Sequence, residues 1–205
     1  TVSGSAIDTY FDKAELTVSK DGNAAQTIEF TSGGTTSGEW TYTQEVDVNT
    51  HSNDGTYLYT ITAKDEAGRV STTSTTVIID TTAPTLGLNN FASGQVITSS
   101  EFTFRGIASD NVGLSGNIEY TQDGTTWKKV TSSGLSWNLS MTGLEESANA
   151  KTIKFRAKDK LNNITESDFY EYYLDWTAPT LTVTSPVDNT SYVKKGDGIT
   201  LTGTA

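Results

Sequence analysis

Apolar and polar residues alternate in short runs along nearly the whole chain, and no stretch carries a helical period. Ala14 to Lys20 alternates through Leu16 and Val18, Asp21-Gly22 supplies a tight turn, and Gln26 to Phe30 returns, which predicts a hairpin. Asn117 to Gln122, Asp123-Gly124 and Thr126 to Val130 predict a second hairpin of the same kind. Trp40 in GEWTYTQEV and Trp137 in GLSWNLSMT each open an alternating strand, and GTYLYTITA (55–63) matches KTIKFRA (151–157). Closing strands are predicted at Val70 to Ile79 and at Ser167 to Leu174. The fold class read from this pattern is all-β.

The matched runs belong to a repeat. Asp80 to Leu86, DTTAPTL, returns 95 residues later as Asp175 to Leu181, DWTAPTL. A proline that forces its predecessor out of the helical region marks an extended joint, and a joint found twice separates copies. Offsets between matched positions run from 94 to 102, so only small loop insertions disturb the register. Units are expected at 1–80, 81–175 and 176–205. TVSGSA at the start aligns with FRGIA (104–108) and LTGTA (201–205), so the first unit is expected to lack its first strand. The last is expected to hold only the first strands of a truncated third unit, within a longer parent protein. About seven short strands per unit with turn signals between them predict tandem immunoglobulin-like β-sandwich domains in an elongated array.

Composition narrows the function classes. The chain of 205 residues has 34% hydrophobic residues, 9 Tyr, 4 Trp and no cysteine, so disulfides and thiolate metal sites are excluded. Its net charge of -11 and scattered basic residues argue against nucleic acid as a partner. No apolar run is long enough to span a membrane, and no membrane contact is expected of this segment. The single histidine, His51 in NTHSND, has no nucleophile motif beside it, and the pair Glu145-Glu146 reads as solvated charge in a polar loop. No catalytic centre is expected.

The joint, the SDNVG loop at 109–113 and the AKD-x-x-x-N turn at 157–163 together resemble the tandem bacterial Ig-like domains of large surface proteins, adhesins and some secreted polysaccharide-degrading enzymes. The resemblance covers nearly the whole chain; the first unit departs from it at Ile7 to Tyr10, which lacks the Asn and Gly of Asp110 to Gly113. It implies a non-catalytic spacer or display module on a bacterial surface or outside the cell, or an accessory module of a secreted enzyme. Its partners would be the neighbouring repeats of the same chain and a host-surface protein or glycan, and the chain is expected to be a monomer. A joint with almost no slack implies a semi-rigid rod, each unit adding on the order of 35 to 45 Å at ~3.3 Å per strand residue.

The sharpest site expectation is calcium at the junction. In such a sandwich the entering chain and two of the loops share one end, so Asp80, Asp110, Asn111, Asp159 and Asn163 are predicted to converge there. Calcium takes six to eight oxygens of carboxylate, amide or carbonyl type, which these residues supply. Against that, Asp and Asn form turns without any metal, and Lys158 and Lys160 flank Asp159 and are expected to neutralise it in part. Asp8, Asp65 and Glu66 mark the equivalent, incomplete end of the first unit. Trp40 and Trp137 are expected in the cores, Trp127 partly exposed, and Trp176 packed between units rather than stacked on a sugar. Thr121 to Trp127 nearly matches the Asp-box turn of sialidases but is read as a hairpin without activity. Asn138, Asn163 and Asn189 match the glycosylation pattern, which short polar sequence produces by chance.

Overall fold

The structure, a computed structural model, describes residues 1–31, 37–185, 196, 198 and 200–204. Asn189 and most of the last 20 residues lie outside the described residues. All regular structure among the described residues is β, as the alternation predicts.

The first unit contains β1 (Val2–Ile7), β2 (Phe11–Lys20), β3 (Gln26–Thr31), β4 (Ser37–Tyr42), β5 (Gly55–Asp65) and β6 (Val70–Ile79). β1 pairs with β4, and the facing sheet has the order β3-β2-β5-β6. The β2–β3 hairpin forms where the turn chemistry places it, with Asp21 (φ 52°) and Gly22 (φ 75°) both left-handed. Alternate residues of β2 and β5 point inward, so Leu16, Val18, Tyr57, Tyr59 and Ile61 meet Val2, Trp40 and Tyr42 of the other layer. Trp40 lies 6.0 Å from the Phe30 ring and is half-buried.

The second unit contains β7 (Thr85–Leu88), β8 (Gln95–Ile97), β9 (Phe102–Ser109), β10 (Leu114–Thr121), β11 (Lys128–Ser133), β12 (Ser136–Met141), β13 (Ser147–Asp159), β14 (Ile164–Glu166) and β15 (Tyr170–Leu174). The strand order is β7-β9-β12-β11-β10-β13-β15-β8, with β14 on β13. β11 pairs β10 through Val130 and β12 from Thr131 onward, folding one continuous path into two facing layers. Trp137, Phe104, Phe155 and Tyr172 fill the space between them, each 2% exposed or less. The closing strand differs from its predicted span of Ser167 to Leu174. Ser167 exchanges backbone and side-chain hydrogen bonds with Phe155, which bulges the chain and splits the strand into β14 and β15.

The repeat is visible in the pairing. Gly4 of β1 lies opposite Trp40, and Gly106 of β9 lies opposite Trp137. At both glycines a Cβ would collide with the tryptophan ring, which is why glycine recurs at this register. β16 (Thr182–Ser185) and β17 (Thr202–Thr204) repeat the β7–β9 pairing, with Val183 opposite Gly203 as Leu88 is opposite Gly106. No strand pairing among the described residues links 1–79 to 85–174. Among the described residues no strand pairs with the outer edge of β1 or of β6.

Candidate metal centre

Residues 80–84 carry the chain from β6 to β7 and are gripped from both sides. From the first unit, Asp54 accepts the Thr81 N–H (2.9 Å) and both threonine hydroxyls, Thr81 at 2.8 Å and Thr82 at 2.6 Å. Burial pushes the Asp54 pKa up, but the Thr82 and Thr81 hydrogen bonds outweigh it, and the carboxyl titrates below its usual range. His51, at φ 55°, sits 2.7 Å from the Thr81 hydroxyl. Because that hydroxyl donates to Asp54, Nδ1 of His51 is the donor. From the second unit, Asn163 Nδ2 donates to the Asp80 carbonyl (3.0 Å) and the Thr165 hydroxyl donates to the Pro84 carbonyl (2.5 Å).

The next joint is held the same way. Glu146 accepts the Trp176 N–H (2.6 Å) and the Thr177 hydroxyl (2.7 Å), and these bonds hold its carboxyl below its ordinary pKa. The expectation of plain solvated charge at Glu146 is therefore corrected. A signal exists in the sequence: an acidic residue immediately precedes the long strand in each unit, Asp54 before β5 and Glu146 before β13. A β-bulge between Ser147 and Lys151 puts the two acids out of register and hides the match.

All five predicted junction residues come together. One carboxylate oxygen from each of Asp80, Asp110 and Asp159 lies within 4.8 Å of the others. Asp159 is fully buried and Asp80 is 6% exposed. Asp110 sits in the loop after β9, where Oδ1 accepts the Val112 and Gly113 N–H groups. Asp159 ends β13, where Oδ1 accepts Leu161 and Asn163 N–H groups and the left-handed Asn162 (φ 72°) completes the turn. The Asn163 amide donates to Asp159 Oδ2 (2.6 Å), and the Asn111 amide approaches Asp80 Oδ1 at 3.5 Å.

What these bonds leave over is informative. Asp80 Oδ2 and Asp110 Oδ2 are buried and have no hydrogen-bond partner in the protein. Burial, with the Asp110 and Asp159 charges adding to it, pushes the Asp80 pKa up despite the Thr82 N–H bond. Among the described residues neither flanking lysine forms an ion pair with the cluster. Lys158 alternates to the other face of β13 and pairs with Glu119 (3.2 Å), while Lys160 reaches the Val112 carbonyl (3.3 Å). At a separation of about 5 Å and an effective dielectric of about 20, each carboxylate pair repels by roughly 3 kcal/mol. Three such pairs approach the whole stability of a domain, about 5–15 kcal/mol, so full ionisation calls for a counter-charge.

The remaining candidates have structural occupations. Trp137 is core, and Trp127 lies under the Arg156 guanidinium at 3.9 Å. Trp176 remains 39% exposed. Asp123 accepts the Thr125 and Thr126 N–H groups, which hold its pKa far below the usual range and fix the hairpin turn. In the first unit, Asp8 accepts the Tyr10 N–H, and Asp65 is paired by Arg69, whose Nε lies 2.5 Å from Oδ2.

No curated protein sequence matches the chain. Among solved structures it is similar to the tetra-tandem repeat in the extending region of a large adhesion protein, at 20% identity, 92% coverage of this chain, 49% of that one and a TM-score of 0.42. It is also similar to the fibronectin(III)-like modules of Clostridium thermocellum CbhA, at 12% identity, 84% and 85% coverage and a TM-score of 0.35. Dimeric latent PorU from Porphyromonas gingivalis aligns at 15% identity, 85% and 21% coverage and a TM-score of 0.38. The chain spans about half the length of the adhesion-protein repeat. These likenesses are too loose to argue from, and the fold rests on the strand order above. Residues 1–81 match the family model of the bacterial Ig-like domain, and the unit that follows repeats their pairing scheme.

Proposed function

We propose that the chain is a non-catalytic spacer in an adhesin-like bacterial surface protein, with units at 1–80, 81–175 and 176–205 forming a semi-rigid extracellular rod. Calcium bound at the joint between the first two units stiffens it. The observation that carries this reading is the pair of buried, partnerless oxygens on Asp80 and Asp110 beside the buried Asp159. Asp80 belongs to the joint itself, while Asp110 and Asp159 belong to the second unit, so one cation would tie the linker to the domain that follows it.

The donor set fits calcium chemically. Asp80, Asp110 and Asp159 would hold the ion through carboxylate oxygens, and Asn111 and Asn163 would add amide oxygens once their side chains turn over. The ion would supply a counter-charge to carboxylates with which no lysine or arginine forms an ion pair among the described residues. Asp54, His51 and Thr165 need no ion for their part, since they hold the joint by hydrogen bonds alone. β6 exposes Thr72, Thr73, Thr75 and Thr76 over both of its faces, which suits a solvated spacer surface better than a row of sugar-stacking aromatics. Ligand recognition, of a host protein or a glycan, would then fall to other parts of the parent protein.

Calorimetric titration of calcium into chelator-stripped protein tests the reading. One saturable site in the parent, lost in Asp110→Ala, supports it; no binding in the parent, or equal binding in the variant, removes calcium from the joint.

A further inference from the structure

The chain enters and leaves the second unit at opposite ends of its sandwich. β7 starts beside Ser109, at the end where Asp159 closes β13, and β15 finishes beside Ser147, where β13 begins. Between β7 and β8 lies Phe91, which is 8% exposed, its ring 5.6 Å from Phe102, 5.1 Å from Phe104 and 6.4 Å from Tyr172. β8 then lies along β15 in the one parallel pairing among the described residues, Gln95 to Ile97 beside Tyr172 to Leu174. Further bonds lengthen this contact at both ends. The Gly94 N–H donates to the Glu171 carbonyl (2.8 Å), the Glu171 N–H to the Ser93 hydroxyl (2.9 Å) and the Asp175 N–H to the Ile97 carbonyl (3.1 Å). Ile97, Tyr172 and Leu174 are each 3% exposed or less, so the core side of the contact is shielded from water.

We infer that Phe91 and the β8–β15 pair form a mechanical clamp, through which the second unit resists unfolding when the chain is pulled along its length. Tension on the first joint draws β8 towards the Asp159 end, and tension on the second draws β15 the opposite way. Because the strands run parallel, this slides one along the other, and the bonds from Ser93 to Asp175 have to fail together. Two strands pulled apart from the same end would lose them one at a time. β7 meets the tension first, but its Leu86 and Leu88 are only half-buried, whereas Phe91 is wedged among three rings and stops the pull there. Forced unfolding is governed by the unfolding barrier rather than by equilibrium stability, so the clamp is a property separate from the stiffness of the joint. It needs no calcium, since every bond in it lies beyond Asp80 along the chain.

The test is single-molecule force spectroscopy on the full chain in excess chelator. Handles on Ala83→Cys and Ala178→Cys, both exposed and at matched places in the two joints, pull along the natural line. Handles on Thr98→Cys and Ala178→Cys, also exposed, pull β8 and β15 from the same end. The first pair is expected to need several times the force of the second at the same pulling speed. In the first geometry, Asp175→Pro removes the donor to the Ile97 carbonyl at an exposed position. It should speed unfolding under constant force about five-fold, as for one hydrogen bond lost before the barrier is crossed. Equal forces for the two pairs of handles would overturn the inference. So would an unfolding rate under force that Asp175→Pro leaves unchanged, which would place the resistance elsewhere in the unit.

Discussion

Asp65 and Asp159 end the same long strand in successive units, both buried, and both accept the backbone N–H four residues ahead. They differ in what faces their second oxygen. Asp65 meets the guanidinium of Arg69, whereas Asp159 meets the neutral Asn163 amide and shares its surroundings with Asp80 and Asp110. The same turn is thus closed by a resident cation in one unit and by a triad lacking one in the other. Arginine or asparagine at the fourth position of the turn sets which side chain meets that buried oxygen.

The largest expected effect that probes this contrast is Asp159→Ala. It strips acceptors from the Leu161 and Asn163 N–H groups and from the Asn163 amide, all part-buried, and should cost about 3–5 kcal/mol in urea unfolding of the second unit with calcium present to offset the carboxylate repulsion. Asp65→Ala should cost the first unit less, because the freed Arg69 is largely exposed and turns to water. Next in size, calcium at about 100 times its dissociation constant should stabilise the second unit by about 2.7 kcal/mol and leave the first unchanged, read by hydrogen exchange of β13 against β5. Asn163→Arg, which copies Arg69, should abolish that calcium dependence and stabilise the calcium-free second unit by roughly 1 kcal/mol.

Acidification gives a smaller effect of informative sign. The Asp80 pKa is raised above its unfolded value, so without calcium the folded second unit takes up a proton first. Its stability should rise as pH falls from neutral through that raised pKa towards the ordinary aspartate value of 3.8. With calcium bound the sign should reverse, since protons then compete with the metal. For Asp65, burial raises the pKa, but the Arg69 hydrogen bonds and charge outweigh it and hold it low. Its contribution is therefore present above the unfolded value and lost only as pH falls through the lowered pKa. Thermal melts across pH with and without chelator read both. The smallest change belongs to Asp54→Asn, which should cost about 1 kcal/mol at the joint by weakening the bonds from Thr81 and Thr82.

The strands and the repeat were legible because alternation and turn residues are local signals, and a second copy doubles each of them. Gly4 with Trp40 and Gly106 with Trp137 fall at matched positions because the sandwich leaves no other way to seat that ring. The five junction residues were legible for a topological reason, since the entering chain and two loops must share an end of the sandwich. What escaped was whatever depended on the direction of a side chain. Lys158 lies next to Asp159 in sequence yet points to the opposite face, and Ser167 breaks a strand by bonding to Phe155. His51, Asp54 and Glu146 sit in polar loops whose composition looks solvated, and only the fold brings them against the joint threonines.

The central claim is that a cation at the Asp80, Asp110 and Asp159 cluster fixes the first unit relative to the second. As the chain has no cysteine, spin labels can be attached at Thr27→Cys and Lys129→Cys, both exposed and one in each unit. Pulsed electron paramagnetic resonance then gives the distribution of distances between the units. A distribution that narrows on adding calcium, and does not narrow when Asp110→Ala is present, is the predicted result. A width indifferent to calcium in the parent protein would contradict the account.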